Sequence, residues 1–414
     1  MAMSLREENF IVIEIGASHS KAGMGMSDTN KTPSVVVNMA DFDYPIRDGA
    51  IASWENLEAS WQHILFKELG ISKARNEHAV LLAIPVDWTK DDQERITQIF
   101  FEHLNVPGIY IVHQPLLSLY GCGSVSGLVI DVGHDTTDVS PVMDSLVQTQ
   151  ACIRIPIAGQ HFDQYLLELM LADAALVQQF RDASIELDKE FARFVKEKPG
   201  ACHVFAGHQK DQPKPDPLEA EVLGAAAAAT EEVNLDEENG PNGGAALDDE
   251  VKDVPEKLEV EYRGQKFTVG SYRHKVYDPL FEPSLAHKPF QLGLIDTLRL
   301  ATSGCEPPEI RPKLWENMVV TGAGSLMRGF HSRIKIEASK LLPSSDNAGD
   351  AQPRQISFLR IPDYFTVLKD RQYQYLSTWL GGEIVAKLVF IDAKNYVNKV
   401  DYNESGPAVI HLKS

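Results

Sequence analysis

Two short stretches carry chemistry-bearing side chains in the same pattern. In "IVIEIGASHSKAG", residues 11–23, an apolar run ends in Glu14, Gly16 follows after one residue, and Ser18 and Lys21 come within the next turn. In "LVIDVGHDTTDVS", residues 128–140, the run ends in Asp131, then Gly133, with Asp135, Thr136 and Asp138 behind it. The physical use of such a repeated acid-x-glycine unit is phosphate binding. A glycine lets the backbone turn sharply and aim amide N–H groups at anionic oxygens. Lys21 adds a positive charge beside them. Glu14 and Asp131 suit a hydrated Mg2+, which keeps most of its waters and takes few carboxylates. Either stretch alone also fits a plain hairpin turn with a surface acid. The pair favours two hairpins that clamp one nucleotide tail.

Elements that would hold these residues are legible around them. "FIVIEIG" (residues 10–16), "LVIDVG" (128–133) and "MVVTGAG" (318–324) are continuous apolar runs, as in strands covered on both faces. Between them, Leu57, Trp61, Ile64, Leu65 and Leu69 recur at helical spacing, with Ser53 as N-cap. Phe162, Leu166 and Leu169 form a second helical stripe. Alternating strands and helices predict an α/β architecture.

At 414 residues the chain is expected to form two domains or more. A net charge of −20 argues against a non-specific nucleic-acid binder and favours basic partners. The four cysteines show no zinc or disulfide spacing, and no apolar run is long enough for a membrane span. The first ten residues lack a signal core, so cytosol or nucleus is expected. Residues 213–255 are rich in Pro, Gly, Ala and acid, and residues 219–257 hold twelve acidic and two basic residues. Such a stretch buries too little to offset its ordering entropy, so it is expected to be a disordered acidic insertion. It would serve as a solvated linker or as a docking tail for a basic partner.

Further motifs resemble those of actin and, more closely, the actin-related proteins: "YPIRDGAIASWENLEASWQHILFKEL", "HQPLLSLYGCG", "IPIAGQHFDQYL", "DPLFEPS" and the final "VDYNESGPAVIHLKS". The resemblance covers nearly everything outside residues 213–255. It implies the actin/Hsp70/hexokinase superfold, with two similar α/β halves around a nucleotide cleft. Subdomain 1 would take residues 1–121 and 377–414, with a vestigial subdomain 2 near 35–43. Subdomain 3 would take 122–157 and 288–376, and subdomain 4 would take 158–287 with the insertion. ATP or ADP with Mg2+ is the implied ligand. Gly16, Ser18, Lys21, Asp131, Gly133, Asp135 and Thr136 would lie along its phosphates, with Asp131 and Glu14 reaching Mg2+ through water. Lys196 and Glu197 would touch the adenosine, Gly322, Ala323 and Gly324 would run beneath it, and Tyr375 would stand at the base-covering position.

This chain departs from the family where hydrolysis is concerned. Glu14 replaces an aspartate, Ala17 a hydroxyl residue and His134 an acid, and Asp138 stands where a water-ordering histidine is usual. Gln114 matches the water-positioning glutamine. Slow or absent turnover is therefore expected, a pseudoenzyme. "TPSVVV" runs into "YPIRDG" within ten residues, where actin has a longer subdomain 2, so no self-filament is expected. These departures resemble those of the nuclear actin-related subunits of the SWI/SNF and RSC chromatin remodellers. That implies a structural subunit in the nucleus that grips a basic helix of the remodeller ATPase beside a second actin-related protein, with no direct sequence-specific contact to nucleic acid and no membrane. The implied groove residues are Tyr120, Gly123, Val385 and Leu388. The alternatives are a dynactin pointed-end protein that caps an actin-like filament, and an enzyme of the same superfold, either a genuine ATPase or a sugar kinase.

Overall fold

The computed structural model describes residues 9–25, 32–205, 254–341, 355–363 and 371–413. All but the last two residues of the acid-rich stretch 213–255 lie outside them, and so does the disorder expected there. The chain first lays down β1 (Phe10–Glu14), β2 (His19–Met24) and β3 (Val35–Asn38) as an antiparallel meander. A small hairpin, β4 (Ile46–Arg47) and β5 (Ala50–Ile51), follows. β6 (Ala79–Ile84) then pairs parallel with β1, and β7 (Gly108–His113) parallel with β6. A second sheet starts with β8 (Gly127–Val132) and β9 (Thr137–Met143), and β10 (Leu146–Val147) and β11 (Ile153–Ile155) both pair with β9. β12 (Leu258–Tyr262) and β13 (Gln265–Val269) form a separate hairpin. β14 (Met318–Thr321) joins β8 in parallel, and β15 (Val397–Asn398) returns to the first sheet beside β7.

Both sheets therefore contain the same unit, a hairpin whose first strand has a parallel neighbour: β1–β2 with β6, and β8–β9 with β14. β6 is buried at every position and β1 and β8 nearly so, which is what their unbroken apolar runs dictate. The helices that matter here are α1 (Trp54–Gln62), α2 (Lys90–Gln98), α3 (Gln114–Gly121), α4 (Gly159–Leu171), α5 (Lys189–Glu197) and α6 (Ser377–Val389). Ser53 caps α1 as expected, its Oγ accepting from the Asn56 N–H at 3.2 Å. The helix does not keep its pitch to Leu69: it widens to i→i+5 turns over His63–Glu68.

Three apolar cores result. One belongs to the first sheet and one to the second. A third holds residues of both, including Val12 and Leu81 with Val129 and Val319, around α3 and α6. These two helices touch almost backbone to backbone. A Cβ at Gly121 would fall 2.1 Å from the Ser377 carbonyl oxygen, and one at Gly381 1.8 Å from that of Leu117. The buried hydroxyls of Ser118 and Thr378 hydrogen-bond at 2.7 Å. The two halves are thus joined by a close-packed helix pair, and the Glu14 and Asp131 ends of β1 and β8 lie within electrostatic reach of each other.

Candidate functional site

The first hairpin turns at Gly16, where a Cβ would collide with the His19 carbonyl oxygen at 2.3 Å, so glycine is required by space. At the strand ends Glu14 and Lys21 are direct cross-strand partners. Their side chains form an ion pair and are only 12% and 14% exposed. Lys21 Nζ also lies 5.3 Å from the centre of the Tyr375 ring. Ser18 Oγ is engaged by His19 Nδ1 at 2.9 Å. Gln114 donates its amide to the Ile15 carbonyl at 2.6 Å and to that of Ala83 at 3.3 Å, so it ties the start of α3 to the backbone just before Gly16.

In the second hairpin the cross-strand partners are Asp131 and Asp138, with Arg154 next to Asp138 in β11. Burial, then Asp138, then Glu14 push the Asp131 carboxyl up to about 7. Burial also holds Asp138 above its usual range, against the pull of Arg154. Arg154 grips Asp138 with Nε at 2.7 Å and Nη2 at 3.1 Å, and its Nη2 also reaches Asp87 of the first half at 3.0 Å. The loop is fixed from behind: Gly159 N–H donates to the Gly133 carbonyl at 3.2 Å and Gln160 N–H to that of His134 at 2.9 Å. Thr136 returns its carbonyl to the Gly133 N–H at 3.0 Å and is buried.

The β4–β5 hairpin reaches across to this loop. Its turn, Asp48–Gly49, has positive φ at both residues, 50° and 81°. The Asp48 N–H donates to Asp135 Oδ2 at 3.2 Å, and the Tyr44 ring stacks on His134 with centroids 6.4 Å apart. Trp88 Nε1 donates to the Gly49 carbonyl at 3.0 Å, and a Cβ on Gly49 would strike the Arg154 guanidinium. The β4–β5 hairpin is therefore a clasp between the halves.

The far wall comes from the second half. Gly322, at φ +83°, lies so close to Asp131 that a Cβ would be 2.4 Å from its Oδ1. Gly324 accepts a hydrogen bond from the Tyr277 hydroxyl, and Ala323 stands between the two glycines in a short 3-10 turn. On α5, Lys196 pairs with the fully buried Asp163 and donates to the Gly159 carbonyl at 3.3 Å, while Arg193 Nε holds the other Asp163 oxygen at 3.0 Å. Arg193 and Glu197 are within electrostatic reach of His19, which sets α5 across from the first hairpin. The Tyr375 ring lies against Lys21. Sequence reasoning missed Asp87, Arg154, Asp163, Arg193, Tyr44 and Asp48. Arg154 and Asp163 had a signal, each being a lone charge inside an apolar strand or stripe.

A hydrated divalent cation fits this floor. Glu14 Oε2 is buried without a hydrogen-bond partner, and Asp131 is crowded by two further carboxylates. Among the described residues no three His, Cys, Asp or Glu side chains converge to hold a metal directly. Phosphate oxygens would find the Gly16 and Gly133 turns on either side.

The expected groove residues border the α3–α6 pair. Tyr120 is half-buried, and Gly123, at φ +73°, follows α3 beside Pro362. Val385 belongs to the shared core at 8% exposure, so it supplies little open surface. Leu388 is 64% exposed and Ile391 75%. Leu388 is thus not a core residue.

The family profile described as Actin matches residues 25–414. Among individual proteins, the SWI/SNF and RSC complexes subunit arp9 of Schizosaccharomyces pombe is 28% identical over 89% of this chain and 78% of its own length. Actin-like protein 9 of Rattus norvegicus is 26% identical over 89% of this chain and 74% of its own. Actin-related protein 7 of Oryza sativa subsp. indica is 26% identical over 97% and 99%. With the duplicated hairpin units and the cleft between them, a profile that spans nearly the whole chain makes this protein a member of the actin family.

Proposed function

We propose that this protein is a non-polymerising structural subunit of a SWI/SNF-type chromatin-remodelling complex and acts in the nucleus. The observation that carries the reading is the likeness, over 89% of the chain, to a protein named as a SWI/SNF and RSC subunit. The partner surface would be the α3–α6 border, with Leu388 and Ile391 as apolar contacts and Tyr120 and Gly123 at its edge. A helix of the remodeller ATPase laid there would bury its apolar side. A second actin-related protein would bind beside it.

The cleft would hold Mg2+-ATP or ADP as a structural ligand. A bound nucleotide would bring phosphates, and its hydrated cation would supply positive charge to Asp131. The chain's own residues do little for hydrolysis. Gln114 spends its amide on the Ile15 and Ala83 carbonyls. Asp138 is committed to Arg154, and Ala17 offers no hydroxyl. Turnover on the order of 1 s⁻¹ is not expected.

Affinity purification of the tagged chain from its own cells tests the reading. Recovery of a remodeller ATPase supports it. Recovery of dynactin or other actin-like filament subunits instead would favour the filament-capping alternative.

A further inference from the structure

We propose that Glu14 is a resident counter-ion of Lys21, an internal carboxylate that an entering nucleotide phosphate must displace before the lysine can serve it. The inference rests on the nucleotide reading of the cleft and names the residue that sets its affinity. Glu14 and Lys21 face each other in the β1–β2 ladder, so the pair is built into the strand register. Both side chains are largely covered. An ion pair held away from water is costly to break, because the abandoned charge is left without a partner. Lys21 has a further attraction in the Tyr375 ring. Glu14 spends one oxygen on Lys21, and its other oxygen is buried with no partner. Nothing else in the described cleft therefore draws the carboxylate away from the lysine.

Side-chain length matters to this arrangement. An aspartate at position 14 would withdraw the carboxylate by about 1.5 Å, one carbon–carbon bond, and leave Lys21 free to turn toward the turns at Gly16 and Gly133. With glutamate the lysine is already satisfied by the chain itself. A phosphate must then outcompete a carboxylate for it and tolerate the released Glu14 beside Asp131. The ligand chemistry is an anion that carries its own compensating cation, which is a Mg2+-nucleotide and not a bare one.

The test uses the full chain, a fluorescent ATP analogue with Mg2+, and the variants Glu14→Gln and Glu14→Asp. Glu14→Gln removes the charge, and Glu14→Asp keeps it but draws it back. Both should tighten binding by about tenfold or more. Both should also melt at lower temperature than the parent without nucleotide, because Lys21 loses its partner. In Glu14→Gln/Lys21→Met the gain in affinity should vanish. If the parent binds and neither variant binds tighter, the inference is overturned while the nucleotide reading stands. If the double variant keeps the gain, the effect is general relief of negative charge, and the role given to Lys21 is overturned. If neither parent nor variants bind, the nucleotide reading falls and the inference falls with it.

Discussion

Asp131 and Asp138 stand directly opposite each other across β8 and β9, two carboxylates in one rung, and Arg154 completes the rung from β11. The first hairpin solves the same problem differently, with a lysine opposite its acid. Because Arg154 also reaches Asp87, the rung of the second half is tied to the first half. Arg154→Met should leave Asp138 as an unpaired, largely covered charge and cost about 1–3 kcal/mol. Asp87→Ala should cost distinctly less, because Asp87 is 52% exposed and Arg154 keeps Asp138. Denaturant unfolding of both variants measures the order.

The β4–β5 clasp should govern how fast a nucleotide leaves. Tyr44→Ala removes the ring stacked on His134, and Asp135→Ala removes the acceptor of the Asp48 N–H. Each should raise the dissociation rate of a fluorescent ATP analogue several-fold in stopped-flow displacement. Hydrogen exchange at the Asp48 amide should rise in Asp135→Ala even without nucleotide.

Acid should weaken the fold through two histidines. Burial, with Lys288 and Lys189 near His161 and with Arg273 and His203 near His274, lowers both to about 4. Each also accepts a backbone N–H through Nδ1, from Ala158 and from His203, which requires the neutral ring. A histidine whose folded value lies below the unfolded value of about 6.5 contributes stability above that pH and loses it as pH falls toward 4. Stability should therefore drop between pH 6.5 and 4, and His161→Asn should flatten that limb. An unchanged slope in the variant would contradict the assignment.

Arg273 makes a further prediction. It is 1% exposed and donates to the carbonyls of Ala201, Pro255, Glu256 and Gly270. It thereby pins the chain on both sides of residues 206–253. Replacing those residues with a short Gly/Ser linker should leave the melting temperature within a few degrees, while Arg273→Met should lower it much more.

What could be read from the sequence follows physical range. β1, β8 and β14 were legible because a strand covered on both faces must be apolar throughout. The Glu14 and Asp131 hairpins were legible because a tight turn needs its glycine. The ties that join the halves were not: Arg154 meets Asp87 across 67 residues and Asp48 meets Asp135 across 87, so neither pairing has a local signature. Gln114 was read by residue type as a water-positioning group, and its backbone partners became visible only when β1, β6 and α3 were in place. The groove residues Tyr120, Gly123, Val385 and Leu388 are legible only as types, without their exposure. Packing divides them, burying Val385 and exposing Leu388 one turn later.

The proposed partner site is the α3–α6 border, where a helix of a remodeller ATPase would lie. Leu388→Asp tests it most directly. The residue is 64% exposed, so the variant should keep its melting temperature and any nucleotide binding. Covering an unpaired carboxylate with a partner helix costs several kcal/mol, about enough to abolish micromolar binding. Tagged Leu388→Asp, purified from cells that supply the natural partners, should lose the remodeller ATPase that the parent chain retains. A folded Leu388→Asp protein that still brings down the ATPase in full would contradict the account.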